Sequence, residues 1–453
     1  MKHSLFNVWK IYLPKNMHNI DIDFDLSVEE IAKIEGAASL TLAVRKGKIT
    51  QLAFSINEWK RFYTQAIQGK PLVAVPQLVA RICGTCSNAH LLASVQTVEQ
   101  ALNIIPSEQT QLLRKLLMYG LMIRDHALHL YIFSLPDLFG KNSILDFDEN
   151  NVEQHTLLED AFAVKDAGNQ LSIVTGGRSV HAPFVTVGGF QKLPELNQLK
   201  KVKEKLNTIR PKILTLLSVF SRCKKVTETP KNTIYAGLVS SDNSFLTGPL
   251  KTSDGEVHQP AHFLSYLASV VIPYSHARGF TFQGKPLLVG ALARLNLSKN
   301  TLHPQTRRDT ALWLERFPSL NFYDNNIAQA IEILHAIDAS ITLIDSLQEI
   351  KLETLPKIVP QKTESAGAIE APRGTLYYKL QVNESGVVEH GDIIVPTGQN
   401  QVLMEKAIGE LVQNLIDTNT PKEAIPAQIE ELIRTFDPCM SCASHFLKVK
   451  WLQ

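Results

Sequence analysis

The sequence predicts a mainly α-helical protein with small β elements, in which long central helices surround a buried metal site and short sheets lie at the periphery. Apolar residues recur at helical spacing over several long runs, whereas alternating patterns are short. Four of the five cysteines form two C-x-x-C pairs, Cys83/Cys86 and Cys439/Cys442, near opposite ends of the 453 residues. Both pairs can share one metal only if the chain ends meet at the centre. We therefore expect a single domain over residues 1–453.

The composition excludes several function classes. The chain has 46 basic and 44 acidic residues, a net charge of 46 − 44 = +2. A charge this small does not predict electrostatic binding to nucleic acid or to an anionic membrane. Five cysteines do not resemble a disulfide framework, and the N-terminus lacks the apolar run of a secretory signal. The longest apolar-rich stretches, such as residues 263–274, fall short of the ~20 residues that cross a bilayer. We expect a cytoplasmic protein without a membrane span, which a partner could still anchor or export.

The first half of the chain predicts a small β region and then a mainly helical body. The β region covers residues 28–56, and the helical body covers residues 71–355. Ser87 or Asn88 is expected to cap a helix that runs to about residue 103, which places the first C-x-x-C on the turn before it. A longer helix is expected from Pro106 to about residue 134, with Pro136 just beyond its end.

The remainder follows the same pattern of helices separated by loops and short strands. Helices are expected at 193–221, 306–355, 401–418 and 426–435. Loops are expected at 175–183 and 188–189, and an irregular β insert at about 228–300. Residues 363–400 are read as a small-residue loop (363–374) and a hairpin (376–395), and residues 401–445 as C-terminal helices with the second cysteine pair.

On spacing alone, the four cysteines fit more than one metal site. The three alternatives are a structural zinc site, an iron–sulfur cluster and a redox dithiol, and nothing near the pairs resembles a redox dithiol protein. Zinc ribbons usually bring together pairs that are a few tens of residues apart, whereas these pairs lie near the two ends of a long chain. A closed structural site has no obvious need for a position at the centre of the fold.

Several ionisable residues near these pairs are candidates for chemistry. Asp125 shares a helical face with Leu117, Leu121 and His129, and a carboxylate on such an apolar stripe must be paired or shifted in pKa. The alternative is a structural ion pair with Arg124 or a distant arginine. His90 follows Cys86 by one helical turn, and His445 follows Cys442 by three residues, so both can reach the metal or its sulfurs.

Two further residues are ambiguous on their own. Glu35 precedes a glycine near an expected strand start and reads as an ordinary surface glutamate. Arg373 lies between Pro372 and Gly374, which fix a bend, and its permanent charge can stand beside a thiolate metal site. The alternative for Arg373 is a loop ion pair with Glu370.

Taken together, these motifs resemble the large, catalytic subunit of nickel–iron hydrogenases. The resemblance spans residues 32–445 in the family's order. The matching motifs are Arg81-x-Cys83-Gly84-x-Cys86-x-x-x-His90, Asp125-His126-x-x-His129-x-Tyr131, Gly177-Arg178-x-Val180-His181, Gly290-x-Leu292-Ala293-Arg294-x-Asn296, Glu370-Ala371-Pro372-Arg373-Gly374, Pro396-Thr397-x-x-Asn400 and Asp437-Pro438-Cys439-x-x-Cys442-x-x-His445.

The resemblance implies heterolytic cleavage of dihydrogen at a centre of nickel and an iron that carries cyanide and carbon monoxide. Cys83 and Cys439 would bind nickel terminally, and Cys86 and Cys442 would bridge to the iron. Cys439 would accept the proton first and Glu35 would pass it outward. The residues that roof the open site would be Arg373, Asp125, Asp437 and Pro372, and those near the diatomic ligands Pro396 and Thr397.

The resemblance also implies partners. No cysteines are left to hold an iron–sulfur chain, so an iron–sulfur small subunit is expected in a heterodimer, together with maturation factors. Residues 446–453 follow the point where the mature family chain usually ends, and are either a propeptide removed by a C-terminal endopeptidase or a retained tail.

Two departures from the family pattern bear on function. Thr64 stands where the family has a glutamate that binds magnesium, which leaves His445 and the carbonyl of Ile393 as that ion's expected ligands, and Ala37 replaces a histidine. Three alternatives therefore stay open: a hydrogen-sensing protein of the same fold with little turnover, a metal-free structural or quinone-binding relative, and a zinc-stabilised scaffold.

Overall fold

The computed structural model describes residues 23–444, and over these residues the mainly helical prediction is confirmed. The helices are α1 Tyr63–Ala66, α2 Val75–Val79, α3 Ser87–Ala101, α4 Glu108–Ala127, α5 Leu135–Leu138, α6 Val152–Gly176, α7 Leu196–Phe220, α8 Pro260–Phe263, α9 Ala291–Ser298, α10 Pro304–Asp309, α11 Ala311–Leu314, α12 Asp324–Ser346, α13 Pro396–Asp417, α14 Ile425–Thr435 and α15 Met440–Ala443. The strands are β1 Phe24–Val28, β2 Ala38–Arg45, β3 Lys48–Ile56, β4 Val185–Thr186, β5 Gly189–Phe190, β6 Ile234–Leu238, β7 Leu250–Thr252, β8 Val257–His258, β9 Leu267–Val271, β10 Arg278–Phe282, β11 Leu287–Leu288, β12 Thr363–Ala371, β13 Gly374–Val382 and β14 Val388–Ile394.

Four long helices form the centre of the molecule. Helix α4 packs against α6 and α12, and α7 also packs against α6 and α12. Side-chain caps begin two of these helices, because Ser107 and Asn151 accept hydrogen bonds from the backbone N–H groups of Thr110 and Gln154. Gly177 ends α6 at a φ of 90°, a left-handed conformation that glycine adopts at no steric cost.

Helix α12 is the one described helix that is long and apolar enough to cross a membrane by length and composition. The apolar stretch at 263–274 is therefore not the strongest such segment, contrary to the expectation from sequence. Most of α12 is buried against α4, α7 and α9, which is what the core helix of a globular protein also shows.

Small, mostly antiparallel sheets lie at the periphery of the helices. Strands β1–β2–β3 form one sheet, β12–β13–β14 another, and β11–β6–β7–β8 a third in which β11 and β6 are parallel. The expected β region at 28–56 is confirmed and begins earlier, because β1 pairs with β2. The hairpin at 376–395 is confirmed as β13 and β14.

The predicted loop at 363–374 is wrong, because residues Thr363–Ala371 form strand β12 and pair along its whole length with β13. The small residues that suggested a loop instead allow the strand to lie close to α3. A Cβ atom on Gly367 would stand 2.6 Å from Thr97 Oγ1 of that helix. The small side chains in this strand therefore indicate close packing against α3 and not a turn.

Other corrections concern helix ends. Cys86 is the N-cap of α3, and the hydroxyl of Ser87 accepts the N–H of His181 instead of capping the helix. Helix α4 continues through a π-helical segment, Leu128–Ser134, into α5, so Pro136 lies in the first turn of a following helix and not beyond the end. Helix α6 is not among the predicted helices. Within 306–355, where one helix is expected, the structure has the end of α10, all of α11 and α12, and then irregular chain from 347.

Candidate metal centre

The four paired cysteines converge on one point. The Cys83 and Cys439 sulfurs are 3.3 Å apart, the Cys86 and Cys442 sulfurs 2.9 Å, and the Cys439 and Cys442 sulfurs 3.1 Å. All four side chains are buried, and their sulfurs lie within 4.8 Å of one another. The turn before α3 presents one pair, and the turn into α15 presents the other. The prediction that an early and a late segment of the chain bring the two cysteine pairs together at one four-sulfur site is confirmed.

This donor set fits soft metals. Buried thiolates select zinc, copper(I), iron or nickel over magnesium or calcium. The fifth cysteine, Cys223, lies outside the group. The residues present can therefore hold nickel and iron.

The N-terminal β region is joined to the second cysteine pair by backbone hydrogen bonding. Glu35 and Cys439 form a parallel bridge, and the N–H of Met440 donates to the carbonyl of Glu35 at 2.9 Å. Gly36 has a φ of 82°, and a Cβ atom there would lie 2.8 Å from the Cβ of Met440. Glycine is therefore required at position 36 for the two segments to approach.

The Glu35 carboxylate lies against the sulfurs. Its Oε2 is 3.0 Å from Cys439 Sγ, and its Oε1 accepts the Ser441 hydroxyl at 2.6 Å. The Ser441 N–H also donates to Oε2 at 3.1 Å, and Cys83 Sγ lies 4.0 Å from Oε1. Burial, and next the charge of Cys83, raise the pKa of Glu35. Glu35 is thus not the ordinary surface glutamate that its sequence context suggested.

Arg373 is buried between two carboxylates. Its Nη1 donates to Asp125 Oδ2 at 2.7 Å, and its Nη2 lies 2.9 Å from Asp437 Oδ1. Burial lowers the pKa of Arg373, but the charges of Asp125 and Asp437 outweigh burial, so the net pKa is well above the ordinary value. Asp125 therefore pairs with a distant arginine, and the alternative pairing of Arg373 with Glu370 is wrong, since Glu370 pairs with Arg294.

His90 bridges a buried tyrosine and a cysteine. Its Nδ1 lies 2.7 Å from the Tyr378 hydroxyl, and its Nε2 lies 3.4 Å from Cys442 Sγ. If the tyrosine hydroxyl donates to Nδ1, the Nε2–H points at the sulfur. This agrees with the expected contact between His90 and a ligand sulfur.

A small cavity adjoins the sulfurs. It is lined by Cys86, His90, Ala371, Arg373, Leu376, Pro396, Thr397, Cys439 and Cys442. Pro396 and Thr397 begin α13, and the Thr397 hydroxyl accepts the N–H of Cys439 at 2.9 Å. The candidate residues at 396 and 397 therefore lie at the centre. Pro372 is one residue from Arg373 and lines a second cavity behind it.

Two of the positions that bear on the expected magnesium ion, Ile393 and Thr64, lie in the described part of the chain. Ile393 lies in β14 opposite Tyr378, and the Thr64 hydroxyl contacts Gln65 at 3.0 Å. His445 and the tail at 446–453 lie outside the described residues.

Sequence reasoning missed three residues that contact the site. Ser441 binds Glu35, Tyr378 contacts His90, and Gln329 donates to Asp437 Oδ2 at 2.9 Å. Ser441 could have been found, because it lies inside the second C-x-x-C pair. Tyr378 and Gln329 carry no local signal, since their partners are 288 and 108 residues away.

Comparison with known proteins assigns the family. Residues 62–159 and 154–445 match the nickel-dependent hydrogenase family. The alpha chain of sulfhydrogenase 1 from Pyrococcus furiosus is 29% identical over 427 residues, 94% of this chain and 98% of that protein. One component of the F420-non-reducing hydrogenase vhc of Methanococcus voltae is 25% identical over 460 residues, 93% of this chain and 94% of that protein.

Solved structures share the fold. An NAD+-reducing [NiFe]-hydrogenase in the H2-reduced state superposes with a TM-score of 0.82 at 22% identity, over 93% of this chain and 99% of that one. The [NiFeSe]-hydrogenase of Dm. baculatum gives 0.74 at 20% identity, over 93% and 100%. The chain therefore belongs to the nickel-dependent hydrogenase family and corresponds to the large subunit of these oxidoreductases, which act on dihydrogen.

Proposed function

We propose that this chain cleaves dihydrogen heterolytically at a nickel–iron centre held by Cys83, Cys86, Cys439 and Cys442, and that the iron carries cyanide and carbon monoxide. The observation that carries the proposal is the convergence of four buried sulfurs beside a cavity roofed by Arg373. When bound, the metals supply the Lewis-acid site that polarises dihydrogen. The protein's own residues then handle the proton and the charge.

Cys439 and Glu35 form the first part of a proton exit route. The 3.0 Å between Cys439 Sγ and Glu35 Oε2 is within hydrogen-bond reach, which general acid–base transfer requires. The Ser441 hydroxyl holds the other carboxylate oxygen, so Glu35 faces the sulfur in a fixed orientation. Glu35 thus takes the proton from the sulfur and passes it outward.

Arg373 supplies a fixed positive charge beside the reacting position. A buried guanidinium stabilises developing negative charge without reorganising, and Asp125 and Asp437 hold it in place. His90 orients Cys442. Pro396 and Thr397, which line the cavity beside the sulfurs, would contact the iron's diatomic ligands. Pro372, next to Arg373, would help to roof the open site.

The electrons leave through another chain. Among the five cysteines, Cys223 is the one outside the centre, and a single thiol cannot hold an iron–sulfur cluster. The relatives are themselves named as subunits, which are parts of larger assemblies. We infer an iron–sulfur small subunit, maturation factors and a cytoplasmic location. A magnesium ion at His445 and the Ile393 carbonyl stays a prediction.

Infrared spectroscopy of the purified complex, combined with hydrogen-dependent dye reduction, tests this proposal. We expect absorptions from metal-bound cyanide and carbon monoxide, because a zinc or iron–sulfur site has no such ligands. Steady dye reduction at enzyme-like rates would exclude a pure hydrogen sensor. Absence of the infrared bands from a nickel-loaded preparation would contradict the assigned iron ligands.

A further inference from the structure

The segment Gly290–Asn296 matches the family pattern and lies outside the metal-binding motifs. Its arginine, Arg294, lies in α9 and is fully buried. All five of its N–H donors are within hydrogen-bond distance of an acceptor. The acceptors are Glu332 Oε1 at 2.6 Å, Glu332 Oε2 at 2.7 Å, Glu370 Oε2 at 2.8 Å, the Ala371 carbonyl at 3.1 Å and the Pro372 carbonyl at 2.9 Å.

Three of these acceptors belong to the residues directly before Arg373. Arg294 thus binds the β12–β13 turn through one carboxylate and two backbone carbonyls. The other oxygen of Glu370 accepts the N–H of Leu238 at 2.8 Å and the hydroxyl of Thr375 at 2.6 Å. The turn is therefore held on both sides of the residue that faces the metal centre.

Close backbone packing also holds the β12–β13 turn in place. Gly374 has a φ of 131°, and a Cβ atom there would be 2.8 Å from the backbone nitrogen of Gly290. A Cβ atom on Gly290 would be 3.1 Å from the carbonyl oxygen of Arg373. Gly290 is the N-cap of α9, so the start of this helix touches the turn while Arg294, one helical turn later, binds it.

Glu332, in α12, also fixes the position of Arg294. The carboxylate binds Arg294 with both oxygens and also lies 2.9 Å from His126 Nε2. Burial raises the pKa of Glu332, but the charge of Arg294 outweighs it, and the net pKa is about 2. Helix α12 thereby fixes Arg294, and Arg294 fixes the turn. Lysine cannot reproduce this, because an ammonium has three donors and no planar fork.

We propose that Arg294 is a positioning residue for the hydrogenase reaction. By binding the three residues before Arg373, it holds the Arg373 guanidinium between Asp125 and Asp437. This inference rests on the proposed function of Arg373. It predicts that a substitution of Arg294 lowers activity by displacing Arg373, and that the nickel content stays unchanged.

A double-mutant cycle tests it in the purified complex, with hydrogen–deuterium exchange activity expressed per nickel atom. Arg294→Lys should lower exchange by about 10-fold or more, and Arg373→Lys by about 100-fold. The double variant should exchange within about threefold of Arg373→Lys alone, because both changes remove the same positioned charge. The infrared bands of Arg294→Lys should move in the same direction as those of Arg373→Lys.

Arg210→Lys is the matched control. Arg210 also binds a buried carboxylate of α12, since its Nε lies 2.7 Å from Asp338 Oδ1, but it contacts neither the turn nor the centre. It should leave exchange per nickel and the infrared bands unchanged. If the Arg294→Lys protein binds no nickel, Glu332→Gln replaces it in the cycle. Glu332→Gln weakens the contact that holds Arg294, so its effect on exchange should also fail to add to that of Arg373→Lys.

The failures of the two proposals are distinguishable. Wild-type exchange in Arg294→Lys with slow exchange in Arg373→Lys overturns the positioning role alone. Losses that multiply in the double variant also overturn it. Wild-type exchange in Arg373→Lys overturns both the positioning role and the proposed function of Arg373.

Discussion

Each ionisable residue near the sulfurs has a partner that fixes its direction. Ser441 holds Glu35, Gln329 holds Asp437, and Tyr378 contacts the far nitrogen of His90. Such partners keep a reacting group oriented without reorganisation, which is the arrangement that makes buried charges effective in catalysis. The chemistry of this centre therefore depends on residues that do not themselves face the cavity.

Arg373→Lys tests the role of the buried guanidinium. A lysine ammonium is a compact charge that cannot reach Asp125 and Asp437 with separate nitrogens. We expect hydrogen-dependent dye reduction to fall by roughly 100-fold while nickel stays bound. Unchanged turnover would remove Arg373 from the mechanism.

Glu35→Gln tests the proton route. Glutamine retains the size of glutamate and a hydrogen-bonding oxygen, but it cannot accept a proton from the Cys439 sulfur. Exchange between dihydrogen and solvent protons should be suppressed, and nickel content should match the wild type. Glu58→Gln is the control, because Glu58 braces the same loop by accepting the Ala37 N–H and should keep normal exchange. Normal exchange in Glu35→Gln would mean that the proton leaves elsewhere.

At this scale, sequence predicts the ligands better than their partners. The cysteines and Asp125 are recognisable by spacing and by an unusual place on an apolar face. The arginine that pairs with Asp125 lies 248 residues away, so its identity depends on tertiary structure that no local pattern contains. The same holds for Tyr378 and Gln329.

Among the elements, strand β12 shows how packing can override local preference. Its small residues read as a loop, yet they are small because α3 lies against them. Helix α6, which the sequence analysis does not predict, also depends on close packing. A Cβ atom on Gly168 would be 2.6 Å from the backbone nitrogen of Arg124, so the helices α4 and α6 need glycine there to pack.

Gly367→Val tests the packing of β12 on α3. The added side chain would begin 2.6 Å from Thr97 Oγ1 and should destabilise the fold by about 1–3 kcal/mol. Glu364→Val in the exposed part of the same strand is the control and should change the free energy of unfolding by about 0.5 kcal/mol or less. Chemical denaturation of both variants measures the difference. Equal stability of the two variants would contradict the close approach of β12 to α3.

The buried His335 of α12 predicts acid sensitivity. Burial lowers its pKa to about 4 from an ordinary 6.5, and its ring accepts the N–H of His303 while facing the Asn243 carbonyl. Because the folded-state pKa is depressed, the stability that neutral His335 contributes is present above pH 6.5 and is lost as the pH falls towards 4.

By pH 5 this loss should amount to about 2 kcal/mol. His335→Gln should lose less stability than the wild type between pH 7 and pH 5, as measured by denaturant unfolding. Replacing the exposed His155 in the same way should leave the wild-type slope. An unchanged slope in His335→Gln would show that other groups cause the acid sensitivity.

Across the whole molecule, the metal centre is where the two ends of the described chain join. The Glu35–Cys439 bridge connects the N-terminal sheet to the turn before α15, and α3 connects the first cysteine pair to the core. Sequence predicts this closure because metal geometry demands it. It could not predict which loops and strands form the walls, since these follow from packing between residues far apart in the chain.

Nickel content tests the central claim most directly. If four sulfurs from the two chain ends hold one nickel–iron centre, the purified complex should contain about one nickel per chain. Cys83→Ser and Cys439→Ser, one from each end, should each lose the nickel, whereas Cys223→Ser should keep it. Zinc without nickel in the wild-type protein, or full nickel retention in either variant, would contradict the account.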